Sequence, residues 1–139
     1  MQSKTRLSLA ATVIALGLTA AKLAAALGAE PAGLLAGYQA EARKIDAAFA
    51  ASAQRGAQFF STNHGNEWSC ATCHGNPPTG QGKHATTGKA IAPLAPAANP
   101  ERFADAAKVE KWFRRNCNDV LGRACTPAEK ADVMAFVLK

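Results

Sequence analysis

The apolar positions of this chain recur at helical spacing and show no convincing strand alternation. Leu34, Leu35, Tyr38 and Ile45 form a rough apolar stripe, and Pro31 suits the first turn, so the spacing predicts a helix over 31–44. A turn over 46–51 leads to Ser52, a good N-cap for the stretch SAQRGAQFFST. Val109, Trp112 and Phe113 recur at three and four residues and predict a third helix, starting at Asn99-Pro100 or at Asp105. The last helix has the clearest start: Thr126 as cap, Pro127 at the first position and Glu129 completing a capping box. Val133, Phe136 and Val137 form its expected buried face. Between these elements NHGNEWSC is polar and glycine-containing. The segment from Asn76 to Asn99 carries Pro77, Pro78, Gly80, Gly82, Gly88, Pro93 and Pro96, which disfavours any long regular element. The pattern predicts an all-α fold with a long irregular central loop.

The first 28 residues follow a different grammar. A basic head, MQSKTR, precedes the uncharged apolar run at 7–21, and Lys22 and the small-residue tract LAAALGA follow. This predicts a secretory signal peptide over 1–28, cleaved near 28/29, and a single domain over 29–139. An uncleaved anchor is the alternative, although a span normally needs about 20 apolar residues and Lys22 interrupts this run. Loss of Lys4, Arg6 and Lys22 lowers the formal charge from +6 to +3, too mild a balance to suggest nucleic acid. After cleavage nothing in the sequence points to a membrane. Arg43, Lys44, Lys108, Lys111, Arg114 and Arg115 form either a local basic face for an acidic partner or ordinary solvated helix surface. Export, to the periplasm on this reading, permits disulfides. The four cysteines fall into two pairs, Cys70/Cys73 and Cys117/Cys125.

CATCH, residues 70–74, is C-x-x-C-H. In an exported chain this motif predicts one covalently attached c-type haem. Cys70 and Cys73 are spaced to form thioethers with the two vinyl groups, and His74 is thereby held beneath the iron as the proximal ligand. A dithiol redox motif is the first competing reading, but it belongs with strand–helix units that the pattern lacks. A four-cysteine zinc site with Cys117 and Cys125 is the second, and its spacing is unusual. The macrocycle also supplies apolar bulk to a chain that is only 6% aromatic.

The stretch KWFRRNC (111–117) leaves a question. The apolar stripe that begins at Val109 runs into Asn116, a polar amide followed at once by a cysteine. Burying an unpartnered amide costs a few kcal/mol. Either Asn116 sits at a frayed helix end, or the interior needs it. The candidates for the distal side of the iron are His64, His84, Met134, Asn116, water, or nothing. His64 and His84 lie in polar loops where solvent exposure is the ordinary expectation, and Met134 reads as core filler. A Cys117–Cys125 bridge would close the short loop NDVLGRA between two helices and fix the backbone beside Asn116, contributing on the order of 2–3 kcal/mol.

QRGAQFF ahead of CATCH, with TPAEKADVMAFVLK at the end, resembles the terminal helices of class I cytochrome c. The chain departs from that family in having no methionine in the loop before the last helix. KVEKWFRRNCNDVLGRAC together with TGKAIAPLAP is similar to a narrower branch of class I-like cytochromes, that of the sphaeroides haem proteins and cytochrome c-double-prime. The resemblance implies that the residue before the first disulfide cysteine, here Asn116, is the sixth ligand in the oxidised state and leaves on reduction. It further implies that the open iron binds O2, NO or CO, and that a dihaem cytochrome c donates electrons. An amide is a weak, hard donor that Fe(III) tolerates and Fe(II) does not hold as Met or His would. Two other functions remain open at this point. One is a closed low-spin electron carrier with His84 as second ligand. The other is a reductase of NO- or peroxide-type substrates, for which no catalytic residue is assigned.

Overall fold

The computed structural model describes residues 30–139; the expected signal peptide lies outside the described residues. Helix α1 spans Pro31–Arg43 and α2 Ala53–Ser61. A short α3 holds Cys70–His74. Strands β1 (Gly82–Lys83) and β2 (Ala90–Ile91) follow, then α4 (Ala106–Leu121) and α5 (Pro127–Val137). The fold is helical, as the hydrophobic pattern predicts.

The helix starts are written in side chains. Ser52 Oγ accepts the Arg55 N–H at 3.3 Å. Asp105 takes that of Lys108 at 3.0 Å, which selects Asp105 over Asn99-Pro100 as the start of α4. Thr126 and Glu129 form the expected box, with the Thr126 N–H donating to the Glu129 carboxylate at 2.8 Å. Each such cap satisfies a backbone donor that a helix end otherwise leaves unpaired. At the far end of α4, Gly122 takes the left-handed conformation (φ 71°) that a residue with a Cβ adopts at a cost, and returns its N–H to Asn118.

Helix α5 is the centre of the fold. It packs on α1 and α2, and Ala131, Val133, Met134 and Val137 are buried among Leu34, Tyr38, Phe60 and Val109. Met134 is fully enclosed in this cluster, as core filler should be. The α2–α5 crossing is close because Gly56 lies directly against the Asp132 backbone. Asp132 is itself buried, and its carboxylate accepts from the Ser52 N–H (2.7 Å) and from Arg55 Nε (2.7 Å) and Nη2 (2.8 Å). One charged side chain therefore caps α2 and ties it to α5.

Four expectations need correction. Ile45 is exposed, because α1 ends at Arg43 and the helical period no longer applies two residues later. Trp112 is 42% exposed; at 100° per residue it lies off the Val109–Phe113–Val120 stripe that α4 turns inward. The central segment contains a two-residue antiparallel ladder, Gly82 opposite Ile91 and Lys83 opposite Ala90. Finally, α4 continues to Leu121, so the first four residues of the expected loop NDVLGRA are helical. Of the two readings of Asn116 the frayed end is excluded: it lies more than a turn inside the helix.

Candidate haem-attachment site

Helix α3 is the attachment motif itself. Ser69 caps it reciprocally with Thr72: the Thr72 N–H donates to Ser69 Oγ at 3.2 Å, and the Ser69 N–H to Thr72 Oγ1 at 3.0 Å. Cys70 and Cys73 are half-buried, uncrosslinked thiols. Burial pushes the Cys70 thiol up to about 11. Burial also lowers the basicity of His74, with the Arg102 guanidinium adding to the effect, so the imidazole is held in the neutral form that ligates metals. His74 Nδ1 is buried with no hydrogen-bond partner among the described residues.

The β1–β2 hairpin is seated on α3. The Ala85 N–H points at Cys73 Sγ at 3.3 Å. A Cβ on Gly82 would collide with the Cys73 carbonyl, so this glycine is what permits the approach. His84 is exposed and its Nδ1 accepts the N–H groups of Thr86 (3.2 Å) and Thr87 (3.3 Å), so the ring holds the turn together. His64 Nε2 meets the Phe59 carbonyl at 2.8 Å, and the two rings lie 4.5 Å apart. With Met134 in the core, the three sequence alternatives to Asn116 all have other work.

Asn116 is half-buried and lines an apolar-walled cavity together with Cys70, Phe59, Phe113, Val120 and Val133. Residues 70 and 116 thus border one small apolar cavity of about 30 Å³, although 46 positions of sequence separate them. Cys117 and Cys125 form a disulfide with Cα atoms 5.5 Å apart. Phe113, one turn before Cys117, packs edge-on against Tyr38 at 5.6 Å and so docks α4 on α1.

Sequence reasoning missed Arg102. Its Nε donates to the Pro93 carbonyl at 2.9 Å and its Nη2 to Ala92 at 2.7 Å, bracing the proline-rich loop near His74. Nothing in the local pattern marks it, because its partners are backbone carbonyls that every sequence supplies. Two free thiols at C-x-x-C spacing, an unpartnered buried imidazole nitrogen and an apolar wall together fit a covalently attached haem.

Comparison with known proteins agrees. Residues 46–137 match the family described as Domain of unknown function (DUF1924). The chain is 56% identical over 91 residues to cytochrome c-type protein SHP of Cereibacter sphaeroides, covering 63% of this chain and 70% of that protein. It is 51% identical over 79 residues to cytochrome c'' of Methylophilus methylotrophus, covering 57% of this chain and 55% of that one. Among solved structures, oxidized SHP, described as an oxygen binding cytochrome c, superposes with a TM-score of 0.68 at 50% identity, covering 78% of this chain and 95% of that one. Oxidized cytochrome c'' from M. methylotrophus gives a TM-score of 0.71 at 41% identity, covering 78% of this chain and 93% of that one.

Proposed function

We propose that this chain, which belongs to the family of SHP and cytochrome c'' and carries one covalently bound haem c, is an exported cytochrome whose distal site opens on reduction to admit O2, NO or CO. Cys70 and Cys73 hold the group as thioethers, and His74 supplies its neutral imidazole as the proximal ligand. Asn116 would supply the distal amide in the oxidised protein and would be released on reduction. When bound, the haem would supply one-electron redox chemistry and an iron able to take a small ligand. The remaining work belongs to the chain. Phe59, Phe113, Val120 and Val133 keep the distal space apolar, and the Cys117–Cys125 bridge holds the backbone beside Asn116.

The observation that carries the reading is that Cys70 and Asn116 border the same small apolar cavity, while His64, His84 and Met134 are committed elsewhere. Residues 1–28 are proposed to be the export signal and the periplasm the destination. Among the described residues no helix is long and apolar enough to cross a membrane. A dihaem cytochrome c is the proposed electron donor.

The test is the optical and EPR spectrum of the holoprotein in both redox states, with CO added after reduction. A high-spin ferrous form that takes up CO supports the reading. A six-coordinate, low-spin ferrous form indifferent to CO would make the chain a closed electron carrier.

A further inference from the structure

The carbonyl of Val120 is one of the last four in α4, which a helix leaves without an internal donor. It is not left to solvent. The side-chain amide of Asn66 donates to it from Nδ2 at 2.7 Å, across 54 residues of sequence. A carbonyl only accepts, so it is the NH2 of Asn66 that must face it.

Asn66 is held in place by a tightly bonded turn. Its own N–H donates to the Asn63 carbonyl at 2.8 Å, and Asn63 Nδ2 reaches the Glu67 carbonyl at 3.3 Å. His64 (φ 53°) and Gly65 (φ 82°) both take left-handed backbone conformations to form this turn. For His64, which carries a Cβ, that conformation is unfavourable in isolation. The bond from its ring to the Phe59 carbonyl holds it there. The turn leads directly into Ser69 and the attachment helix. Val120 is one helical turn beyond Asn116, on the same inward stripe.

We infer that Asn66 is a positioning residue for the distal ligand: it straps the end of α4 to the segment that enters the haem-attachment motif, and so sets where Asn116 stands relative to Cys70. This rests on the reading of Asn116 as the distal ligand. The disulfide fixes α4 to its own following loop, whereas Asn66 fixes it to the proximal side of the site. Without the strap the last turn of α4 is free to move outward, and the amide meets the ferric iron less often.

The experiment is a double-mutant cycle on the holoprotein with Asn66→Asp, Asn116→Ala and the pair. Asp keeps the shape at position 66 and replaces the donor with an oxygen that repels the Val120 carbonyl. The readouts are the ferric spin equilibrium by EPR and optical spectra, and the rate of CO uptake after reduction. The expected result is a ferric high-spin to low-spin ratio raised by about 2- to 10-fold in Asn66→Asp, the range one hydrogen bond supports. That effect should vanish in the Asn116→Ala background and be largely rescued by Asn66→Gln, which restores the donor. If Asn66→Asp folds poorly, Asn66→Ala removes the donor without the repulsion and must show the same dependence on Asn116. An unchanged spin equilibrium in both Asn66 variants, with Asn116→Ala altered, would remove the strap and leave the ligand reading intact. A silent Asn116→Ala would overturn both.

Discussion

Gly56 stands so close to the carbonyl of Asp132 that a Cβ at position 56 would fall inside that oxygen's van der Waals shell, and would also press on Phe136 Cβ at 3.0 Å. The obstruction is backbone, which cannot rotate away as a side-chain tip can. Gly56→Ala should therefore push α2 off α5, although alanine is the better helix former by roughly 1 kcal/mol. A net loss of about 2–3 kcal/mol is expected from overpacking at the crossing. Denaturant unfolding of the holoprotein measures it; an unchanged midpoint would mean the crossing opens at little cost.

Arg123 grips Glu129 from two nitrogens, at 2.9 and 2.6 Å, while the Thr126 N–H donates to the same carboxylate. The Arg123 hydrogen bonds hold the Glu129 carboxyl below its ordinary value of 4.5, against the opposing effect of burial. The unfolded chain thus binds this proton more readily. The stabilisation is complete above about 4.5 and is lost as pH falls through the folded value. Glu129→Gln keeps the cap but not the charge, and with Arg123 half-exposed should cost about 0.5–1 kcal/mol at pH 7. Melting of both proteins from pH 7 downward should show the difference shrinking below pH 4.5. A gap that stays constant would assign it to packing.

The bridge between Cys117 and Cys125 closes a loop of sequence separation 8. Converting both cysteines to serine should cost on the order of 2–3 kcal/mol by the loop-entropy argument. The same variant should raise the ferric high-spin fraction, because Cys117 is bonded in sequence to Asn116. Stability lost with the spectra unchanged would make the bridge a staple for α4 with no bearing on the iron.

Asn116→His should give a low-spin haem in both redox states with slower CO uptake, since imidazole holds Fe(II) where an amide does not. His84→Ala is the control. Its Nδ1 accepts from Thr86 and Thr87, so its loss should loosen the hairpin and leave the coordination spectra as they were. A ferrous spectrum altered by His84→Ala would revive the closed-carrier alternative.

What could be seen in the sequence was whatever is written in local chemistry. Ser52, Asp105, Thr126 and Glu129 mark helix starts with side chains that act within three residues, and CATCH carries its spacing in five letters. The limits of α4 were misjudged because Asn116-Cys117-Asn118-Asp119 has poor helix propensity. The disulfide and the Val120–Asn66 bond, both tertiary, accompany the helix carrying on through that stretch. Nothing in the local sequence marks Asp132 as buried. Its burial depends on Arg55 and Ser52, about 80 residues away, which no period reveals. The hairpin over Cys73 was equally hidden, since two residues per strand leave no alternation to detect.

Because Asn116 sits inside a helix and beside a cross-linked residue, its release, on the reading proposed for it, cannot occur by fraying. It reduces to rotation about the two side-chain bonds of a single amide. Such a displaced group does not diffuse away; it remains tethered as an internal competitor at a high and fixed effective concentration. On that reading a diatomic that seeks the oxidised iron contends with a first-order latch whose return is independent of protein concentration, and its affinity is reduced by the fraction of time the latch is open. Reduction, which the amide does not survive as a ligand, removes that competition.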